Sequence, residues 1–241
     1  MAQGIALTRP SLPSSDSLFD AYAAKYDAAL MLGLSVTGEG KDFFARGRVA
    51  WLAQRLRAWG VEPRVVLDFG CGTGSATPFL LDILGAGLVI GIDPSSPSLE
   101  EAERLHGSTR ARFLTIDGYR PCAEVDLIYC NGVFHHIAPD DRRIALGYLH
   151  HALRPGGLLS LWENNPWNPG TRLVMSRIPF DRDAVMLSHV EAKRLVIGCG
   201  YEVIRRDFLF VFPSLLSFLR PVETYLAGVP IGAQYQVLCR K

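Results

Sequence analysis

Residues 65–74 read Val65-Val66-Leu67-Asp68-Phe69-Gly70-Cys71-Gly72-Thr73-Gly74, an apolar run that ends in an acid and a glycine-rich turn. Glycines allow backbone angles that other residues resist, and they let the backbone come close to a ligand. The spacing differs from the dinucleotide fingerprint G-x-G-x-x-G, because the third glycine position falls on Ser75 or Thr77. No Gly-Lys-Ser/Thr closes the turn, which excludes a Walker-type phosphate loop. The turn therefore predicts a strand-to-helix ligand site of another kind.

Short apolar runs alternate with helical patterns from this turn onward, as in a parallel sheet buried on both faces. They predict five strands, at residues 65–68, 88–92, 112–116, 126–130 and 158–162. Two more strand patterns, at 201–212 and 233–240, predict a final pair joined without a normal crossover. The fold class is therefore α/β, with a doubly wound, mostly parallel sheet of seven strands.

Helical patterns precede the glycine turn at residues 18–32 and 43–59, and a later one covers 181–198. The apolar stretch 208–226 is explained most simply by packing in the core, and three other roles stay open for it: a lid, a homodimer surface, or a wall beside an apolar substrate.

A single domain over residues 1–241 is the simplest organisation for a chain of this length. Within it, we expect residues 1–60 to form an N-terminal helical cap. Residues 163–232 are expected to supply the substrate-side elements.

Composition limits the class of protein. The 25 basic and 24 acidic residues give a net charge of +1 and no basic footprint, which argues against a nucleic-acid partner. No apolar run approaches the roughly 18 residues of a membrane span. The five cysteines are odd in number and lack close pairing, so neither a disulfide framework nor a metal site is predicted. A reducing, cytoplasmic location is expected.

Acidic residues follow the second and third predicted strands as well as the first. Asp93 ends Ile90-Gly91-Ile92-Asp93, where an acid can accept both hydroxyls of a ribose at the carboxyl edge of the sheet. Asp117 precedes Gly118 and could accept from the exocyclic amine of an adenine. Each acid alone is also compatible with a surface turn or a helix cap. Three acids at successive strand ends together favour a nucleoside-containing ligand.

Residues 65–161 resemble the class I S-adenosylmethionine-dependent methyltransferases, within a bacterial small-molecule branch. The stretch Val65 to Gly74 is similar to the first motif of that family. Later motifs are matched in the right order by Ile92-Asp93, Thr115-Ile116-Asp117, Asn131-Gly132-Val133-Phe134-His135-His136 and Leu153-Arg154-Pro155-Gly156-Gly157. The resemblance implies a Rossmann-like sheet with a reversed C-terminal hairpin, S-adenosylmethionine as cofactor and a small-molecule substrate.

The resemblance also implies roles for individual residues on the cofactor side. Asp68 and the turn residues Gly70, Cys71, Gly72 and Gly74 would hold the methionine part of the cofactor. Asp93 would hold the ribose, Pro94 an adenine face, Asp117 with Gly118 the adenine edge, and Asn131 would lie beside the sulfonium. Tyr22 and Tyr26, one helical turn apart, would cover the cofactor, although a role as ordinary core aromatics stays open.

On the substrate side, His135 and His136 are the candidate catalytic bases, because they follow the fourth strand at the expected cofactor edge. Packing and capping of the next helix is the alternative. A polar and aromatic stretch after the fifth strand is expected to stack on and hydrogen-bond a substrate, and its candidate residues are Trp162, Glu163, Asn164, Asn165 and Trp167. Its prolines also fit a rigid structural turn.

The predicted activity is methyl transfer to an oxygen or nitrogen atom of a small metabolite or secondary metabolite, with release of S-adenosylhomocysteine. Such an in-line displacement depends on alignment and on exclusion of water. One alternative is closure of the cofactor's own aminobutyryl arm to azetidine-2-carboxylate, which would release methylthioadenosine. A second alternative is a non-catalytic cofactor-binding scaffold.

Overall fold

The structure is a computed structural model that describes residues 33–181 and 184–241. Within these residues, seven strands form one sheet in the order β3-β2-β1-β4-β5-β7-β6. The strands are β1 Val65–Phe69, β2 Leu88–Asp93, β3 Ala111–Thr115, β4 Val125–Asn131, β5 Leu153–Asn164, β6 Glu202–Leu209 and β7 Gln234–Arg240. The first five strands pair in parallel, whereas β7 lies antiparallel between β5 and β6. The predicted α/β fold with a reversed final hairpin is confirmed.

Helices lie between the strands and on both faces of the sheet. They are α1 Lys41–Ala58, α2 Thr77–Asp82, α3 Ser96–His106, α4 Arg142–Ala152, α5 Pro169–Arg177, α6 His189–Ile197 and α7 Glu223–Leu226. Short 3-10 helices span Ser35–Thr37, Pro179–Asp181 and Ser214–Val222. Among the residues that the structure describes, none of these helices combines the length and apolarity needed to cross a membrane.

The helix predicted from residue 181 begins later than expected. Ser188 accepts from the backbone of Glu191, and the Glu191 side chain accepts from the backbone of Ser188, so this capping box fixes the start of α6 at His189. Asp181 instead ends a 3-10 turn. The helix predicted at 18–32, with Tyr22 and Tyr26, lies outside the described residues.

The central strand β1 is covered on both faces. Leu67 and Phe69 lie in the core beneath α4 and α6, and Val66 packs on the other side with residues of α1 and α2. Strand β1 pairs with β2 on one edge and with β4 on the other, so the strand order reverses beside it. A ligand crevice at the carboxyl ends of the strands is expected where the order of an open α/β sheet reverses. The fold therefore brings the glycine turn and the end of β4 to one edge.

A buried carboxylate ties α1 to the antiparallel end of the sheet. Asp207 on β6 is 1% exposed. Its Oδ2 accepts from Nε1 of Trp51 at 2.8 Å, and its Oδ1 accepts from Nε of Arg205 at 2.7 Å. Buried charges are retained only when they are paired in this way. This bond fixes the orientation of α1, whose first turns reach the functional edge.

Replacing Trp51 by Phe should destabilise the protein by about 1–3 kcal/mol, because it removes a buried donor from the Asp207 carboxylate. The free energy of unfolding, followed by circular dichroism in urea, measures the effect. Trp59 is 41% exposed and provides a matched control. Equal stability of the Trp51→Phe and Trp59→Phe variants would contradict the assigned role of Asp207.

Candidate cofactor and acceptor site

The glycine turn after β1 requires glycine at three positions. Gly70, Gly72 and Gly74 have φ angles of 71°, 52° and 74°, in the left-handed region that other residues rarely adopt. At Gly70 an added Cβ would lie 2.3 Å from Cγ2 of Val133, whereas at Gly72 it would meet no atom of the described residues within 4 Å. Among these residues, nothing blocks the close approach of a ligand to the Gly72 backbone.

Hydrogen bonds hold this turn against the end of β2. The N–H groups of Gly70 and Cys71 both donate to the carbonyl of Ile92, at 2.8 and 3.1 Å. Gly72 N–H donates to Oδ2 of Asp93 at 2.8 Å, while Oδ1 of Asp93 accepts from Ser95 N–H at 2.9 Å. A carboxylate has room for about four bonds, so Asp93 can anchor the turn and still accept from a ribose.

Asp68 is buried without full compensation. Its side chain is 3% exposed, and its Oδ2 has no hydrogen-bond partner among the described residues. Burial and the neighbouring charge of Asp93 raise the pKa of Asp68 to about 7, although Arg48 acts in the opposite direction. A hydrogen-bond donor or a cation from a ligand would compensate the free-energy cost of burying the Asp68 carboxylate. The residues present therefore fit the ammonium-bearing methionine end of S-adenosylmethionine.

The remaining residues predicted for the cofactor lie at the same edge. Pro94 follows β2 and is half-buried, and Asp117 and Gly118 follow β3 at exposed positions. Cys71 is buried, and burial together with the charges of Asp68 and Asp93 raises the pKa of its thiol well above the ordinary value. Burial and these charges therefore disfavour the thiolate of Cys71, and its predicted cofactor contact stays a prediction. The adenine contacts of Pro94, Asp117 and Gly118 stay predictions.

A cavity of about 360 Å³ opens where β4 and β5 end, and Gly132 in its lining is followed by Val133, which packs against Gly70 of the turn. Its polar lining includes Asn131, Asn164, His135 and His136. Its apolar lining includes the clustered rings of Phe43, Phe44 and Phe210, whose centroids lie 5.0–6.0 Å apart. Arg48 also lines it, held by bonds from Nε to the Tyr129 hydroxyl and from Nη1 to Oε1 of Gln234. The cavity thus joins an aromatic wall to a polar corner.

The polar corner contains two histidines and two buried acids. Nδ1 of His135 lies 2.6 Å from Oε2 of Glu163, whose Oε1 accepts from the N–H of Phe134 at 2.7 Å. Oδ1 of Asp181 lies 3.6 Å from Nε2 of His135 and 3.3 Å from Nε2 of His136. Asp181 comes from a segment far along the chain and carries no local sequence signal, so sequence reasoning missed it.

Charge in this corner changes the expected role of His135. Burial alone would lower the pKa of His135, but Glu163 and Asp181 raise it to about 10. Burial likewise raises the pKa of Asp181, yet the nearby imidazoles of His135 and His136 bring it below the ordinary value. In the ligand-free protein, His135 therefore carries a proton at neutral pH. A protonated imidazole would have to lose this proton before it could act as a base, and the predicted catalytic role of His135 and His136 stays a prediction.

The polar stretch after β5 is placed differently from the sequence-based interpretation. Strand β5 continues past its predicted end at Trp162 to Asn164, which pairs with Gln234, so Glu163 and Asn164 are strand residues and not loop residues. Trp162 is fully buried in the core, and Glu163 is buried against His135. Asn164 lines the cavity, and its predicted substrate contact stays a prediction.

The last two residues of that stretch are structural in this fold. Nδ2 of Asn165 donates to the carbonyls of Pro230 and Gly232, at 3.1 and 2.9 Å, which anchors the loop before β7. Trp167 is exposed and meets the ring of His189 edge-on at 4.5 Å, beside a different surface from the cavity. The expected substrate contacts of Trp162, Asn165 and Trp167 are therefore corrected.

Residues 67–159 match a family profile described as a methyltransferase domain. A trans-aconitate 2-methyltransferase from Acidovorax sp. (strain JS42) is 33% identical over 176 residues, which cover 67% of each protein. Another from Azoarcus sp. (strain BH72) is 30% identical over 118 residues, or 49% of this chain and 46% of that protein. The chain spans about half the length or less of several curated relatives that it matches.

Solved structures share the fold at lower identity. An S-adenosylmethionine-dependent methyltransferase from Thermotoga maritima has a TM-score of 0.66 at 18% identity, covering 93% of this chain and 98% of that chain. The plantazolicin methyltransferase, solved with S-adenosylhomocysteine, has a TM-score of 0.60 at 17% identity, covering 94% and 98%.

Replacing Asp68 by Asn should stabilise the ligand-free protein while weakening its binding of the cofactor. The folded pKa of about 7 exceeds the ordinary value of 3.8, so ionisation opposes folding increasingly from pH 4 to pH 7 and fully above pH 7. The free energy of unfolding of the Asp68→Asn variant should exceed that of the unmodified protein by up to about 4 kcal/mol at pH 8, and this difference should shrink toward pH 5.

Thermal unfolding at pH 5 and pH 8 measures this difference, with the exposed Asp82 changed to Asn as the control. An Asp68→Asn variant that is less stable than the unmodified protein at pH 8 would refute the burial cost assigned to Asp68.

Proposed function

The chain belongs to the class I S-adenosylmethionine-dependent methyltransferases, and we propose that it transfers a methyl group to an oxygen or nitrogen atom of a small metabolite. The observation that carries this proposal is the cavity of about 360 Å³ beside Asn131 and Gly132. Gly132 lines the cavity, and its neighbour Val133 packs against Gly70 of the glycine turn. An acceptor in this cavity would therefore approach the methyl-bearing end of the cofactor.

The strand ends would hold the cofactor by complementary polar groups. S-adenosylmethionine, when bound, supplies an electrophilic methyl group on a sulfonium centre. Asp68 would accept from its ammonium group, and Asp93 from its ribose hydroxyls, while the open backbone of Gly72 would allow close approach. Asn131, at the end of β4, would border the methyl end. None of these contacts needs a covalent nucleophile, since alignment supplies much of the rate.

The cavity supports a small acceptor with an apolar body. Small-molecule sites commonly enclose ~300–1,000 Å³, and this one lies at the lower end of that range. Phe43, Phe44 and Phe210 would cover the apolar part and exclude water. The histidine pair would then hold the polar atom that receives the methyl group. Trans-aconitate belongs in the acceptor screen because several relatives are named for it.

The competing cyclisation has lost its specific support. It rested on a polar and aromatic loop closing over the cofactor's own amine. The structure buries Trp162 in the core and turns Trp167 to another surface, which leaves Asn164 from that loop at the cavity. Methyl transfer to a separate acceptor is therefore the better supported reaction.

Product analysis separates the candidate reactions. We expect the purified chain to leave S-adenosylmethionine intact in the absence of an acceptor and to form S-adenosylhomocysteine when a suitable small acceptor is added. Mass spectrometry measures both products. Methylthioadenosine together with a cyclic amino acid, formed from the cofactor alone, would overturn methyl transfer in favour of cyclisation.

Replacing Asp93 by Ala should weaken binding of S-adenosylhomocysteine at least tenfold, which corresponds to about 1.4 kcal/mol or more. The variant loses both the expected ribose acceptor and the anchor of the Gly72 N–H. Isothermal titration calorimetry measures the affinity, and the exposed Glu100→Ala variant on α3 is the matched control.

An Asp93→Asn variant separates loss of the ribose acceptor from loss of the anchor of the turn, because its amide oxygen can still accept from the Gly72 N–H. An affinity in Asp93→Ala equal to that of the Glu100→Ala control would rule out the proposed ribose contact.

A further inference from the structure

We propose that His135, His136 and Asp181 bind one divalent transition-metal ion at the polar corner of the cavity. Each residue offers one ligand atom, and the three atoms lie within 4.8 Å of one another. The inference goes beyond methyl transfer and does not depend on it, since it concerns binding of a cation to this chain alone.

The separations suit three ligands around one ion. Oδ1 of Asp181 lies 3.6 and 3.3 Å from the two Nε2 atoms, longer than the usual 2.7–3.2 Å of an N–H···O bond. Ligands at about 2.0–2.2 Å from a tetrahedral ion stand roughly 3.4 Å apart. The Asp181 carboxylate thus occupies a ligand position relative to both imidazoles.

Glu163 orients the first imidazole as metal sites commonly require. Its Oε2 lies 2.6 Å from Nδ1 of His135, and its Oε1 is fixed by the N–H of Phe134. A proton on Nδ1 that is donated to Glu163 leaves the lone pair of Nε2 directed at Asp181. A carboxylate behind a ligating histidine fixes its tautomer and raises its basicity.

The charge of the corner also favours a cation. Glu163 and Asp181 are 1% and 8% exposed, so two buried carboxylates face the two imidazoles. The nearby guanidinium of Arg142 is directed elsewhere, because it donates to the backbone carbonyls of Phe134, Ile137 and Val185. Buried carboxylates are stabilised either by a proton on a partner or by a metal.

The donor set indicates the class of ion and its use. Two imidazoles and one carboxylate suit Zn²⁺, Co²⁺, Fe²⁺ or Mn²⁺ better than Mg²⁺ or Ca²⁺. Three protein ligands leave at least one coordination position open, as in catalytic sites. All three residues line the cavity, so the open position faces the space proposed for the acceptor. The sequence showed no metal signature because the ligands come from two distant segments.

Titration of the tag-free, chelator-treated full chain with Co²⁺ tests the proposal. We expect one ion per chain, with visible d–d absorption bands typical of a site with nitrogen ligands. Asp181→Asn and His136→Gln should each weaken Co²⁺ binding at least tenfold. The neighbouring histidines His150 and His151 on α4 provide the matched control, because His150→Gln and His151→Gln should bind Co²⁺ like the unmodified protein.

S-adenosylhomocysteine affinity, measured on the same variants, reports whether the fold and the cofactor edge are intact. Loss of Co²⁺ binding with retained S-adenosylhomocysteine binding supports the metal site. Absence of stoichiometric Co²⁺ binding, or binding that is unchanged in Asp181→Asn and His136→Gln, overturns it and leaves His135 as an imidazolium held between Glu163 and Asp181. Failure to find any methyl acceptor would count against the proposed function and leave the metal result unaffected.

Discussion

The hydrogen bond from the Gly72 N–H to the Asp93 carboxylate joins the two strand ends on which the site depends. It works only because Gly72 adopts a left-handed conformation and because β1 and β2 are adjacent and parallel. Together with the bonds to the Ile92 carbonyl, it fixes the turn before any ligand arrives. A preformed turn needs little ordering when a ligand binds, which preserves binding free energy.

Buried charge is the second constraint on this edge. Asp68, Glu163 and Asp181 are all carboxylates taken out of water at the ends of strands or turns. Such groups reduce stability unless a partner compensates them, so their retention at one edge points to ligands with positive charge or donors. Asp68 would accept from the ammonium of the cofactor under the proposed function, whereas the other two acids contact the histidine pair. The histidine pair and Asp181 line the cavity proposed for the acceptor.

Much of the fold could be predicted because it depends on local patterns. Val66 and Leu67 belong to a continuous apolar run, and such runs mark strands that are buried on both faces. The strand-end acids could be predicted because parallel strands present their carboxyl ends at one edge. The length of β5 could not, since Glu163 and Asn164 are strand residues through pairing with β7, far away in the chain. Asp181 could not be assigned to the site either, because it meets His135 and His136 from a segment that is distant in the chain.

We propose that the strand-end acids and the glycine turn form a site for S-adenosylmethionine and not for a dinucleotide. Calorimetric titration of the full chain with S-adenosylhomocysteine, and separately with NAD, distinguishes the two ligands. We expect one-to-one binding of S-adenosylhomocysteine and no measurable heat of binding for NAD. Binding of NAD with similar or higher affinity, or no binding of S-adenosylhomocysteine, would contradict this proposal.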